Sequence, residues 1–219
     1  MNGQLPNVTS LIVLIAGLGL LPVLAVTVTS FAKIAIVLAI VRNALGIQQV
    51  PPNLLLYSLA LILSAFIMMP VLSDSFDRIS NPRNKLDTMA DYERVGREAA
   101  EPLRAFMQRH SSQKARETFA NAGQAVWTGT NQPRPQETDF IVVVPAFLVS
   151  ELTNAFQIGF MLYLPFLVID FVVASVLIAL GMSMLSPTVI STPLKLLLFV
   201  AISGWERLLE GLVLSYARV

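Results

Sequence analysis

Apolar and charged positions divide the chain into three parts. Two flanks with few charges, residues 1–72 and 141–219, enclose a polar middle, residues 73–140. Between Asp74 and Asp139 the chain carries ten basic and ten acidic residues, whereas all other positions together carry nine charges. The flanks contain apolar runs long enough for membrane-spanning helices, and proline or glycine interrupts them. The pattern predicts an all-α, membrane-type protein: about four long, bent apolar helices in two hairpins, with a small helical polar domain between them.

The first apolar run, Leu11 to Val41, is predicted to be an uncleaved span. No charge precedes Lys33, and a cleaved signal peptide normally begins with a basic segment. A cleavage site near Ala25 is the less favoured alternative. We expect Pro22 to kink this helix, because proline removes a backbone donor and clashes with the preceding turn.

A short turn is predicted to join this span to the second, Leu54 to Leu72. Gly46 and the pair Pro51-Pro52 stop the helix and force an extended backbone. Arg42 beside this turn places it in the cytoplasm by the positive-inside rule. The same rule places the polar middle in the periplasm of a multi-pass inner-membrane protein.

The polar middle is predicted to contain short amphipathic helices. Apolar residues recur there at helical spacing: Met89, Tyr92, Val95, Ala99, Leu103, Phe106 and Met107. Pro102 suits the first turn of a helix. Ser111 or Ser112 can cap a further helix that ends at Gly123.

The C-terminal flank contains the longest apolar run, Phe156 to Leu185, which carries the single charge Asp170. Thirty helical residues extend about 45 Å, more than the roughly 30 Å of a hydrocarbon core. Pro165 is expected to act as a hinge inside this run, and Pro187 marks the turn at its end. A last apolar stretch follows from about Val189 to Tyr216.

Four charged residues lie in the apolar flanks where solvent is scarce: Lys33, Glu151, Asp170 and Lys195. A charge within a span is costly, so pairing within or between subunits is the economical hypothesis. Two alternatives stay open. Lys33 can extend its ammonium group to the membrane interface, and the carboxylates can serve as a proton relay.

Composition argues against several classes of function. Charged residues make up 13% of the chain, about half the usual share in soluble domains, and the net charge of +1 gives no basic field for nucleic acid. The chain has no cysteine and one histidine, His110, which is expected on a solvated helix face. We therefore predict no enzymatic activity, no metal site and no cofactor. A small-solute or ion transporter with a midplane site at Asp170, Lys33 and Lys195 remains an alternative.

Three long motifs are similar to the FliP/SctR family of type III secretion export-gate proteins, flagellar and virulence-associated. They are TSFAKIAIVLAIVRNALGIQQVPPN (residues 29–53), ELTNAFQIGFMLYLPFLVID (151–170) and VASVLIALGMSMLSPTVISTPLKLLLFV (173–200), followed by Gly204-Trp205. The resemblance covers about two thirds of the chain. It implies a non-enzymatic core subunit of a helical export gate in the bacterial inner membrane, through which unfolded proteins pass.

The resemblance also implies partners and a site. Five copies of such a chain assemble with SctS/FliQ-like and SctT/FliR-like subunits, which together with lipid cover the apolar helices. The loop at Gly181, Met182, Met184 and Leu185 would form the constriction that seals the closed pore. Methionine suits a deformable apolar seal.

Two other interpretations of the methionines stay open. In a regular helix Met182 and Met184 would point about 200° apart, so that both can face an axis only from a non-helical loop. They can instead be ordinary packing residues. A structural scaffold without a pore is the corresponding functional alternative.

Overall fold

The computed structural model describes residues 15, 19, 22–47, 49–80, 88–129, 132–182 and 184–217. Within these ranges the chain is all-α, which confirms the predicted fold class, and no described residue lies in a strand. The helices are α1 (Pro22–Val28), α2 (Phe31–Ala44), α3 (Asn53–Ile79), α4 (Met89–His110), α5 (Gln113–Val126), α6 (Phe140–Ala179), α7 (Pro187–Ala201) and α8 (Gly204–Leu214).

Two described helices, α3 and α6, are long and apolar enough to cross a membrane by themselves. The pairs α1–α2 and α7–α8 are bent by 78° and 63°, and counting each pair as one span gives four. Helix α6 has 40 residues, about 60 Å, and continues through Pro145 and Pro165 without a break. Neither proline ends the helix, which runs on to the turn at Gly181; the role of Pro165 as a hinge stays a prediction.

The first bent pair turns at Thr29 and Ser30. Pro22 begins the described part of α1, and the kink expected there stays a prediction because the turn before it lies outside the described residues. Hydroxyl groups hold this bend against α3. The Ser30 hydroxyl donates to Ser64 Oγ over 3.1 Å, and the Ser64 hydroxyl donates to Thr29 Oγ1 over 3.2 Å. The polar groups at the bend are thus hydrogen-bonded to each other and to α3, although the surrounding helix contact is apolar.

Helix α2 packs lengthwise along α6 in the main core. Its buried residues recur at helical spacing: Ile34, Val37, Leu38, Val41 and Ala44. Gly159 of α6 lies under Ile40 so closely that an added Cβ would be 2.4 Å from Ile40 Cδ1. This glycine is what permits the close approach of the two helices.

The second bent pair turns at Ile202 and Ser203, and Ser203 adopts a left-handed conformation with φ of 53°. Gly204 follows against the ring of Phe199, where a Cβ would be 2.4 Å from a ring carbon. Trp205 then packs edge-on against Phe199, with ring centroids 5.3 Å apart. The bend returns α8 to the core, where Leu208 and Leu212 are buried.

The polar middle packs against the apolar flanks. Helix α4 contacts α3 and α6, and α5 contacts α6. A reciprocal capping box between Thr88 and Asp91 starts α4. The helix then continues through Pro102, so the prediction that Pro102 lies in the first turn of a helix is wrong. Ser112 caps α5 by accepting from the amide of Ala115. The predicted boundaries of the polar middle, after residues 72 and 140, both fall inside long helices, because α3 extends to Ile79 and α6 begins at Phe140.

The contact between Gly159 and Ile40 leads to a stability prediction. Gly159→Ala should lower the apparent melting temperature in detergent, because the added methyl overpacks the interface, at a cost of about 1–3 kcal/mol that outweighs the gain in helix propensity. Adding Ile40→Ala should recover part of the loss. Gly211→Ala, where the space is open, is the matched control and should be neutral or stabilising. An unchanged melting temperature for Gly159→Ala would contradict the close packing.

Candidate functional site

The loop between α6 and α7 begins with a backbone motif that stops the long helix. Gly181 has a φ of 72°, and its amide donates to the carbonyl of Ile178 over 3.0 Å. The amide of Met182 donates to the carbonyl of Leu177 over 2.9 Å. This pair of bonds is a Schellman motif, which satisfies the last carbonyls of a helix. Pro187 then opens α7 at its first position, where its missing amide costs nothing.

The two methionines of this loop are exposed and lie outside any helix. Met182 is 45% exposed, Met184 is fully exposed, and Leu185 is 37% exposed. The helical geometry that would point the two side chains apart is therefore absent here. Gly181 and Pro187 bracket the kind of non-helical loop from which both thioethers can face one direction.

The turn between α2 and α3 is closed by Arg42. Its Nη1 donates to the Pro51 carbonyl over 3.2 Å and to Asn53 Oδ1 over 2.6 Å. Gly46 ends α2 with a φ of 77° and lies against α7, where a Cβ would be 2.8 Å from Thr192 Oγ1. Pro52 caps α3 with an extended backbone. The predicted turn residues Gly46, Pro51 and Pro52 thus lie in a turn, whereas Pro165 lies inside α6.

The first buried ion pair joins α2 to α6. Lys33 Nζ is 3.4 Å from Glu151 Oε1, and both side chains are at most 4% exposed. The hydroxyl of Tyr216, just after α8, donates to Glu151 Oε2. Lys33 Nζ also lies 3.6 Å from the centre of the Tyr216 ring, a cation–π contact. A distance of 3.4 Å is long for a charge-assisted hydrogen bond, and Tyr216 contacts both charged side chains as a third member of this group.

The second ion pair joins α7 to α6 and to the end of α2. Lys195 Nζ is 2.5 Å from Asp170 Oδ2 and donates to the carbonyl of Ala44 over 3.1 Å. Ala44 is the last residue of α2, where the helix dipole favours a cation. Lys195 is buried, while the Asp170 side chain is one-third exposed.

The structure separates the four charges into two pairs. Glu151 and Asp170 are 19 residues apart on one continuous helix, about 28 Å by the helical rise. Lys33 therefore does not share a site with Asp170 and Lys195, as the transporter alternative would require. In the part of the chain that the structure describes, no cluster of histidine and carboxylate side chains is suited to a metal ion.

His110 is packed against aromatic rings, which corrects the prediction of a solvated surface histidine. Its ring centroid is 4.7 Å from that of Phe106 and 4.9 Å from that of Tyr216. Burial, together with the positive charges of Lys33 and Arg109, lowers the pKa of His110 to about 4. The apolar surroundings arise because α4 folds back onto α6 and the C-terminal turn, a contact that the sequence around His110 does not reveal.

Tyr216 is the residue of this region whose role sequence reasoning missed. Its hydroxyl donates to Glu151 Oε2, which lies 65 positions away along the chain. The available signal was chemical: a carboxylate in apolar surroundings with one lysine partner needs a further donor. Nothing in the spacing of the chain identifies which donor.

Comparisons with known proteins agree over nearly the whole chain. The FliP family model matches residues 14–212. The "Probable translocation protein y4yL" of Sinorhizobium fredii is 45% identical over 216 residues, 99% of this chain and 97% of that protein. The "Yop proteins translocation protein R" of Yersinia pestis is 43% identical, covering 97% of this chain and 98% of its own. The "Virulence protein YscR" of Salmonella typhimurium is 42% identical over 91% of this chain and 93% of its own.

The buried Lys33–Glu151 pair leads to a prediction that compares the loss of one charge with the loss of both. Glu151→Gln should destabilise the protein by about 3 kcal/mol, because it leaves the Lys33 ammonium buried without a counter-charge. The double variant Lys33→Met/Glu151→Gln should be more stable than Glu151→Gln alone. Glu206→Gln, an exposed position on α8, is the control and should change little. If the double variant were no more stable than the single one in detergent melting, Lys33 would not be the partner of Glu151.

Proposed function

Because the chain belongs to the FliP family, as its sequence motifs predicted, we propose that it is a core subunit of a type III secretion export gate. The gate is the conduit and closed-state seal for unfolded proteins that cross the bacterial inner membrane. The names of its relatives support this role, since they describe translocation, secretion and virulence proteins. The chain acts as a passage and has no enzymatic activity of its own.

The observation that carries the proposal is the outward-facing apolar surface together with the exposed methionine loop. Only 17% of the most apolar window of α6 and 22% of that of α3 are buried. The exposed residues of α6 include Phe156, Phe160, Met161, Leu167, Val168, Phe171 and Val172. An uncovered surface of this kind needs lipid or other subunits around it. The two charges of α6, Glu151 and Asp170, are in contrast paired with lysines of the same chain.

This distribution supports an assembly in which neighbouring subunits cover the apolar helices. The proposed partners are four further copies of the chain and the SctS/FliQ-like and SctT/FliR-like subunits. Helix α6 is about 60 Å long, twice the thickness of a hydrocarbon core. Part of its apolar surface must therefore be covered by something other than the bilayer, which favours protein neighbours.

The seal is assigned to Met182, Met184 and Leu185, with Gly181 setting the turn. Copies of the loop that meet at an axis would form a hydrophobic constriction that excludes water and ions. Thioether side chains are unbranched and adaptable, so the same ring can close on itself and yield to a passing chain. Met184 has no packing to give up in doing so, because its side chain is fully exposed.

The constriction is tested by removing both thioethers. In cells that lack the native chain, Met182→Ala/Met184→Ala should restore secretion but admit small dyes or ions at least several-fold faster than the wild-type protein. The control is Met69→Ala/Met161→Ala, which removes two exposed methionines from α3 and α6 outside the loop. A tight barrier in the loop variant would favour the scaffold interpretation. Absence of secretion with the wild-type chain would contradict the export function itself.

The membrane topology is tested with single cysteines, since the chain has none of its own. The polar middle is proposed to face the periplasm and the turn between α2 and α3 the cytoplasm. Asn121→Cys, exposed on α5, should react with a membrane-impermeant maleimide in intact spheroplasts. Gln49→Cys, exposed in the turn, should react only after permeabilisation. The opposite labelling pattern would invert the proposed orientation.

A further inference from the structure

Three aromatic residues join parts of the chain that are far apart in sequence. Phe106 and His110 lie on the last turns of α4, and Tyr216 lies in the C-terminal turn that follows α8. The Tyr216 ring is stacked on Phe106, with centroids 5.9 Å apart and an interplanar angle of 15°, and meets His110 edge-on at 4.9 Å. We refer to Phe106, His110 and Tyr216 as the aromatic latch.

The latch is connected to the first buried ion pair through Tyr216. Its hydroxyl donates to Glu151, and its ring lies under the ammonium group of Lys33. The position of this ring therefore decides whether Glu151 keeps its second donor and whether Lys33 keeps its cation–π contact. His110, which lies on α4, contacts the same Tyr216 ring.

We propose that the aromatic latch is proton-responsive: Tyr216 positions the Lys33–Glu151 pair, and protonation of His110 releases Tyr216 and the C-terminal turn from α4. The inference goes beyond the export function and does not rest on it. It concerns a conformational equilibrium of the chain that exists with or without secretion.

The charges around His110 make an added proton unfavourable in the closed latch. Arg109 is its neighbour on α4, and Lys33 approaches from α2. On the side of α5, Arg116 donates to the carbonyls of Gln108 and Ser111, which flank His110 in sequence. The carboxylate on α6, Glu151, already receives Lys33 and the hydroxyl of Tyr216. An imidazolium would thus add a cation beside lysine and arginine, while the carboxylate described closest to it, Glu151, is already engaged by Lys33 and Tyr216.

The structure also offers the charged ring a better position. His110 lies between two clefts. One, of about 800 Å³, is mainly apolar and is formed by α3, α4 and the end of α8. The other, of about 270 Å³, is lined by Ala115 and Val149 together with side chains that carry hydroxyl or amide groups: Ser111, Ser112, Ser150, Thr153 and Asn154. A protonated imidazole that turned into this smaller cleft would find hydrogen-bond acceptors there, at the expense of its contact with Tyr216.

The direction of the pH effect follows from the two environments of His110. In the closed latch its pKa is about 4, and in a solvated position it is about 6.5. Well above pH 6.5 the ring is neutral in both states, and the latch has its full stability. As pH falls from 6.5 to 4 the open state binds the extra proton first, so closure weakens by a factor on the order of 100.

The test measures the distance between α4 and the C-terminal turn. Nitroxide labels on Ala105→Cys and Ala217→Cys, both exposed, report this distance by double electron–electron resonance in the full-length purified protein, diluted with unlabelled protein. The absence of native cysteine makes the labelling specific. We expect one short distance at pH 7.5 and a growing longer population as pH falls from 6.5 to 4.

The variants separate the titration of His110 from other effects of acid. His110→Phe keeps an aromatic ring and all carboxylates but cannot take up a proton, so its distance should stay short at every pH. Tyr216→Phe removes the hydroxyl bond to Glu151, and its short population should be smaller at each pH yet still titrate. Should His110→Phe fold poorly, His110→Gln replaces it, and its distribution should not depend on pH.

Two results would overturn the proposal. One is a wild-type distance that does not change between pH 7.5 and 4. The other is a His110→Phe or His110→Gln variant that opens over the same pH range as the wild-type protein. Because the readout is a distance in the purified protein, its outcome is independent of whether the methionine loop seals a pore.

Discussion

The fit of α2 along α6 determines where every functional element of the chain lies. Lys33 and Glu151 join the two helices near one end of α2, and Lys195 joins the last carbonyl of α2 to Asp170 at the other. Between these points Gly159 lets Ile40 approach the backbone of α6. Buried ion pairs add little net stability, but leaving one member unpaired is costly. The two pairs therefore favour one axial position of α2, because a slide of a single helical turn, 5.4 Å, would break both.

The same pairs account for the three charged residues that the apolar helices bury, Lys33, Glu151 and Lys195. A soluble domain buries its apolar side chains and exposes its charges, whereas the long helices of this chain expose apolar side chains and bury Lys33, Glu151 and Lys195. With its ions neutralised internally, the outer surface of α6 is apolar along most of its length. Such a surface can be covered by lipid or by neighbouring subunits without desolvating a charge. This is the property that the proposed gate requires of a subunit.

The sequence was sufficient for features that depend on composition and local periodicity. It predicted the all-α class, the apolar flanks and the helical middle, because each follows from hydrophobic spacing that neighbouring residues carry. It wrongly placed Pro102 in a first turn, whereas α4 continues through that position, and α6 likewise continues through Pro145 and Pro165, which locally favour a break. Nor could it assign Lys33 to Glu151 and Lys195 to Asp170, or bring His110 to Tyr216. Those contacts join residues 25 to 118 positions apart, and only the tertiary fold selects them.

The Schellman motif at the end of α6 has a consequence for how such a loop can change over evolutionary time. The long helix is terminated by amide-to-carbonyl bonds and by the conformation of Gly181, so no side chain beyond it is needed to hold the turn. In the proposed gate, selection on folding would act on the backbone here, and selection on permeability on the side chains that follow. A lineage that needed a different seal could then exchange the residues at 182–185 one at a time and still inherit an intact scaffold.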